Sequence, residues 1–262
     1  MSERTSYTPG TPCWVELGTP DIDASAAFYG AVFGWEIPEL PNSAELGGYR
    51  RAKKDGKDIA GVAPLMQEGQ PPAWSTYVSV ADAEATTAAI RAAGGTVHVE
   101  PMDVVGLGKM AVYADSTGAH FGIWEPGTFA GAELVNEPGA LAWNELGTRD
   151  PAAAKAFYSA VFGWEIEDHD MGEMGTYTEW KIDGNSVGGM MDISGRVPDE
   201  VPAHWMTYFA VENTDATVET IKSSGGGVSF GPIDIPAGRF AIVTDPHGAA
   251  FAVIQQPDEA AA

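Results

Sequence analysis

The 262-residue chain carries 37 acidic against 14 basic side chains, a formal charge of −23. This argues against nucleic acid and anionic membrane as partners, since both are gripped by clustered Lys and Arg. Hydrophobic residues at 44% and charged residues at 19% describe an ordinary globular chain, and no stretch approaches the roughly 20 apolar residues of a membrane span.

The opening MSERTSYTPGTP has no apolar core and predicts no secretory signal. Cys13, the single cysteine, excludes an internal disulfide and fits a reducing cytoplasm, where it reads as a small buried residue. Trp14–Gly18 alternates as a strand, and Asp21 or Asp23 can cap a helix running to about Phe33. Ile22, Ala26, Tyr29 and Phe33 share one face of it, widened by Phe28 and Val32, and Gly34 ends it. Strands are expected at Trp35–Ile37, Tyr49–Ala52 and Ile59–Ala63, with Asp55-Gly56 as a turn.

The order restarts at Trp74–Val80, followed by a helix from about Asp82 to Ala93 that stops at Gly94-Gly95. Three further strands follow at Val97–Val99, Lys109–Tyr113 and Ala119–Trp124. Residues 127–139, rich in Gly and Pro and without a period, read as a linker. Residues 14–37 then return at 143–166 with 17 of 24 positions identical at an offset of 129, and the same pair of units recurs at 143–192 and 205–254. A period of that length is a whole domain, far longer than a solenoid unit. The expected division is a flexible N-terminus at 1–10, domains at 11–126 and 140–257 flanking the linker, and a flexible tail at 258–262.

Several common chemistries lack their motifs. Gly94-Gly95 and Gly225-Gly226-Gly227 follow helices, the reverse of an anion site at a helix N-terminus. Gly106-Leu-Gly108-Lys109 lacks the Walker spacing, and there is no G-x-S-x-G elbow, H-E-x-x-H helix or C-x-x-C pair.

Four β-α-β-β-β units, with the helices AFYGAVFGWE and AFYSAVFGWE and a D-x-x-G-x-x-F run before the last strand, resemble the vicinal oxygen chelate superfamily of glyoxalases, bleomycin-resistance proteins and extradiol dioxygenases. The tandem arrangement resembles two-domain actinobacterial members, among them mycobacterial glyoxalase-like antigens and "hydroxylase" or accessory proteins of polyketide pathways. The resemblance implies an α+β fold: four βαβββ modules forming two glyoxalase-like domains, each a cupped, mostly antiparallel sheet with helices outside. Fold resemblance does not fix chemistry.

In this family, metal-using members place His or Gln seven residues before the Asp that opens each helix; that position holds Trp14, Ser75, Trp143 and Met206. The family's closing-strand Glu corresponds to Gly122 and Ala252, and the closing strands around Gly61–Ala63 and Val187–Gly189 offer no carboxylate. Trp, Gly, Ala and Met cannot supply the several O or N donors a divalent ion requires. No inherited metal site and no cofactor are therefore expected, while a divalent metal at a shifted site stays open.

Strand alternation puts other residues on the same cup-facing side. The first copy offers Trp14, Glu16, Ser75, Tyr77, His120 and Trp124; the second offers Trp143, Glu145, Met206, Tyr208 and the more apolar Ile254. Glu16 and His120 could form a relocated metal pair or a proton-transfer pair. Against that, Glu145 recurs with Ala250 at the His position, and Glu16 could simply accept from Tyr77. Trp14 and Trp143 suit stacking on a planar guest. Trp35, Trp164, Phe28 and Phe157 are expected to pack helix on sheet. His98 reads as a strand-surface residue, His169 as solvated in a loop, and His247 as turn chemistry.

Three readings remain. The preferred one is a metal-free binder of a small planar molecule with a resistance or accessory role in secondary metabolism. The others are a lyase or dioxygenase-like enzyme of aldehyde or polyketide metabolism, and a scaffold with self-filled cups. A small-molecule partner, a monomer or homodimer, and a cytoplasmic location are expected.

Overall fold

The computed structural model describes residues 2–40, 46–67, 69–172 and 175–257; the expected tail at 258–262 lies outside the described residues. In chain order the first half contains β1 (Pro12–Thr19), α1 (Ile22–Phe33), β2 (Arg50–Lys54), β3 (Lys57–Pro64), β4 (Ala73–Ser79), α2 (Ala83–Ala92), β5 (Thr96–Asp103), β6 (Gly108–Ala114) and β7 (His120–Pro126). The second half contains β8 (Leu141–Thr148), α3 (Pro151–Phe162), β9 (Glu165–Asp170), β10 (Thr176–Ile182), β11 (Asn185–Asp192), β12 (His204–Ala210), α4 (Thr214–Ser223), β13 (Gly227–Ile235), β14 (Gly238–Thr244) and β15 (Ala250–Gln255).

Each helix opens on a side-chain cap. Asp21, Asp82, Asp150 and Asn213 accept from the backbone N–H three residues on, contacts worth about 1 kcal/mol each. Asp21 is the cap of α1, whereas Asp23 pairs with Arg50. Gly34 and Gly163 end α1 and α3 at φ 73° and 70°, a left-handed backbone cheap only for glycine.

Strands β2-β3-β1-β4-β7-β6-β5 form one sheet, and β13-β14-β15-β12-β8-β11-β10-β9 the other. Consecutive modules therefore share a sheet: one with two, three with four. In each sheet the two opening strands run antiparallel at the centre, and each is flanked by its own module's closing strand in parallel. One expected strand is corrected. Trp35–Ile37 contributes only the isolated bridge Glu36–Lys53, because Pro38 follows at once and Pro41 soon after, and proline cannot donate to a ladder. Its counterpart in the second copy is the full strand β9.

Beneath each cup the sheets meet back to back. The helices lie outside the cups, each with one face buried and one exposed, and they pack crosswise. Phe28 and Phe33 of α1 touch Phe251 and Phe209 of the other sheet, while Phe157 and Phe162 of α3 touch Phe121. Tyr29 donates to Asp245 at 3.2 Å and accepts from Trp74 at 3.0 Å. Tyr158 donates to Asp115 and accepts from Trp205, both at 2.8 Å. The repeated F-Y and D-x-x-G motifs are thus two halves of one hydrogen-bonded joint, each reaching into the opposite sheet. Trp35 and Trp164 lie buried in this layer and donate to the carbonyls of Gly139 and Gly10. Among the described residues, no helix is long and apolar enough to cross a membrane.

Candidate functional site

The register brings the cup-facing candidates of each sheet together. Glu16 pairs with Ser75 on one side and Gly61 on the other, while Tyr77 lies opposite Trp14 and beside Gly122. Tyr77 donates its hydroxyl to Glu16 at 3.2 Å. Trp14 donates its indole N–H to the hydroxyl of Tyr49 at 3.2 Å. The second sheet repeats this. Trp143 donates to Tyr177 at 2.9 Å, and Tyr208 donates to Glu145 at 3.1 Å. The floor of each cup is therefore a Trp–Tyr–Glu–Tyr cluster.

These floors are apolar enough to act on their carboxylates. Burial pushes the Glu16 carboxyl up to about 7, against the opposing hydrogen bond from Tyr77. Burial also raises Glu145, opposed by bonds from Tyr208 and Tyr177. Desolvation disfavours the charged form of an acid, and here it outweighs the hydrogen bonds that favour it.

The family's ion position can be tested against this geometry. A Cβ at Gly61 would lie 2.5 Å from the Tyr49 hydroxyl, and one at Gly122 would lie 2.3 Å from the Tyr77 ring. At Gly189 the Tyr177 hydroxyl would be 1.9 Å away. Tyrosines thus lie across the bare backbone of the closing strands, where the family's carboxylate would stand. With Trp14, Ser75, Trp143 and Met206 as the remaining positions, the donor set does not fit a divalent ion.

The other candidates fall as follows. Ser75 is partly buried beside Glu16. His120 is exposed at the start of β7, with strand β4 between it and β1; its ring lies tilted by 33° against that of His98, with centroids 4.6 Å apart. Burial and the neighbouring His98 lower its pKa. His98 lies on β5, exposed. Met206 and Tyr208 line the second cup with Ile254. His169 is corrected: it belongs to β9, where pairing with β10 brings it 3.0 Å from Glu179. Glu167, His169 and Glu179 gather there, but Lys181 bridges both glutamates, so the chain's own ammonium balances the acids.

Tyr49 and Tyr177 were not among the residues picked from sequence. Their signal was present as a Tyr recurring at an offset of 128 on strands facing the repeated glycines. A second omission is Phe129, in the segment expected to be a linker. Its ring meets Trp14 edge-on at 5.0 Å, lies 6.0 Å from Trp124, and carries the Arg51 guanidinium at 5.4 Å. Trp124 donates to the Phe129 carbonyl at 2.8 Å.

The sequence pattern of the Glyoxalase/Bleomycin resistance protein/Dioxygenase superfamily matches residues 140–253, and that of a Bleomycin resistance protein-like N-terminal unit matches 12–45. Among curated proteins, the chain is 40% identical to the anthracycline biosynthesis protein DnrV of Streptomyces peucetius, over 96% of this chain and 95% of that one. It is also 40% identical to CFP32 of Mycobacterium tuberculosis, named as a glyoxylase, over 97% and 98%. Among solved structures, the Mn(II)-bound glyoxalase of Novosphingobium aromaticivorans superposes with a TM-score of 0.66 at 16% identity, covering 98% of this chain and 84% of that one. The 2,3-dioxygenase LapB of Pseudomonas sp. KL28 gives 0.63 at 13%, covering 96% and 95%.

Proposed function

The chain belongs to the glyoxalase/bleomycin resistance/dioxygenase superfamily, and from that premise we propose that it binds a small planar organic molecule in a cup that uses no metal ion. The role is resistance or accessory service in secondary metabolism, in keeping with the name of its anthracycline-pathway relative. The observation that carries the reading is the set of tyrosines lying across the closing strands: Tyr49 over Gly61 and Tyr77 over Gly122 in the first cup, and Tyr177 over Gly189 with Tyr208 beside Ala252 in the second. A ring in that place takes the volume of an ion and its ligands, and it leaves an indole and a phenol facing the guest. Carboxyls and phenol hydroxyls then orient the guest's polar edge, as in most small-molecule sites.

A metal-free lyase is the second reading, favoured by one feature. The Glu16 carboxyl, lifted to about 7, could hold or release a proton near neutrality. The domains are taken as 11–126 and 140–257 in a cytoplasmic monomer, whose convex sheet faces are already covered by each other.

Purified protein tests the reading by metal analysis together with titration of a planar aromatic, followed through tryptophan fluorescence. The expected result is quenching that survives EDTA treatment. Stoichiometric Zn, Ni, Fe or Mn whose removal abolishes binding would overturn it.

A further inference from the structure

We infer that the second cup, and not the first, receives the guest, and that the guest is a neutral fused-ring aromatic bearing hydroxyl or carbonyl groups. The inference rests on the binding function proposed above and assigns it to one of the two sites.

The two copies have the same floor but different covers. In the first, residues 127–135 lie over the cup as a strap. Phe129 sits against Trp14 and Trp124, and its N–H, like that of Gly127, donates to the Leu107 carbonyl. Ala132 donates to Cys13 at 2.8 Å, and Glu133 pairs with Asp58 through both backbone and carboxylate. Val104 and Leu107, in the loop between β5 and β6, pack on the same cluster. Trp14 and Trp124 are left 5% and 8% exposed. The first cup is filled by its own chain.

Among the described residues, no ring is seated on Trp143 as Phe129 is seated on Trp14. Ala142 and Ser186 stand at the positions of Cys13 and Asp58, and at the cup's margin they and Trp143 form one wall of a cleft whose other wall is the N-terminal segment from Ser2 to Pro12 with Val135 and Asn136. Instead of the loop at 104–107, the β13–β14 hairpin turns over two residues, between Ile235 and Gly238. Trp143, Met206 and Phe240 remain only partly buried around Tyr208 and Ile254, with Phe230 still 49% exposed beside Phe240.

What the first copy places in that seat identifies the guest's chemistry. The seat holds an aromatic ring, set edge-on to the indole and carried on a chain that hydrogen-bonds at its margin. The second cup offers the same indole, with Phe240 and Phe230 widening the apolar wall beyond a single ring. Its polar floor is Glu145 with the Tyr177 and Tyr208 hydroxyls. Burial raises the Glu145 carboxyl, and with the two phenol hydroxyls beside it the floor offers donors and acceptors to hydroxyl and carbonyl groups.

The test uses the full chain with 1,8-dihydroxyanthraquinone in isothermal titration. It compares Phe240→Ala with Met110→Ala, its counterpart in the first copy, and Phe230→Ser serves as a more exposed and therefore milder change. One site per chain is expected, weakened about tenfold or more by Phe240→Ala, weakened by Phe230→Ser, and unchanged by Met110→Ala, with all variants retaining the parent's circular dichroism. Two equivalent sites, or a single site weakened by Met110→Ala alone, would overturn the assignment while leaving the binding function intact. Absence of binding in the parent would overturn both.

Discussion

Replacing Glu16 with Gln should stabilise the protein increasingly as pH rises from 4.5 to about 7, and fully beyond it. The carboxyl is lifted from 4.5 to about 7 because burial penalises its charge more than Tyr77 relieves it. Between those values the folded chain keeps a proton that the unfolded chain has released. Stability from this group therefore falls as pH rises from 4.5 to about 7 and stays low beyond. At about 1.4 kcal/mol per pH unit, the full displacement corresponds to roughly 3 kcal/mol. Gln keeps the shape and still accepts from Tyr77 but carries no charge to desolvate. Urea unfolding of parent and variant at pH 5 and pH 8 reads the effect as a difference, in which the many other acids of this chain cancel. From pH 5 to pH 8 the variant should gain roughly 2–3 kcal/mol relative to the parent. An equal stability difference at both values would show that Glu16 ionises as an ordinary carboxylate, and the account of an apolar cup floor would fail.

Two further outcomes test the scaffold. Tyr29→Phe leaves Asp245 and the Trp74 N–H without their shared buried partner, and thermal or urea unfolding should show a loss of about 1–3 kcal/mol; a change within about 0.5 kcal/mol, typical of surface sites, would refute the joint. Gly122→Ala places a methyl against the Tyr77 ring and should cost about 1–3 kcal/mol by overpacking. The usual Gly→Ala stabilisation would instead show that the ring is not seated there.

Much of this was legible because the chain contains its own reference. Offsets near 129 exposed the modules, the helices and their caps, and strand alternation put Glu16, Tyr77, Glu145 and Tyr208 on cup-facing sides before any coordinates. What stayed hidden was every contact that crosses from one sheet to the other or from a connection to a cup. Asp115 and Asp245 read as turn residues, and they do hold their turns, but their second oxygens reach a tyrosine in the opposite half. Tyr177 lies on β10 and Tyr49 immediately before β2, where the face presented depends on register, and a one-residue slip inverts a face. Phe129 sits in a segment with no period at all, so nothing local could seat it on Trp14.

The crossed joints also explain why the two cups were free to diverge. The residues that bind the halves together, Tyr29 with Asp245 and Tyr158 with Asp115, lie on the convex side with the helices, along with the direct contact of Thr76 and Asn144 at 2.8 Å. Cup linings project from the opposite face of the same strands, since alternate residues point to opposite sides. Changes at Trp14, Ser75 or Met206 therefore leave the shared core untouched, and a strap over one cup adds burial without disturbing the other. A duplicated domain in this arrangement can commit one cup to stability and keep the other for a guest. Trp14 is buried and Trp143 only partly so, the difference on which the proposed assignment of the guest rests.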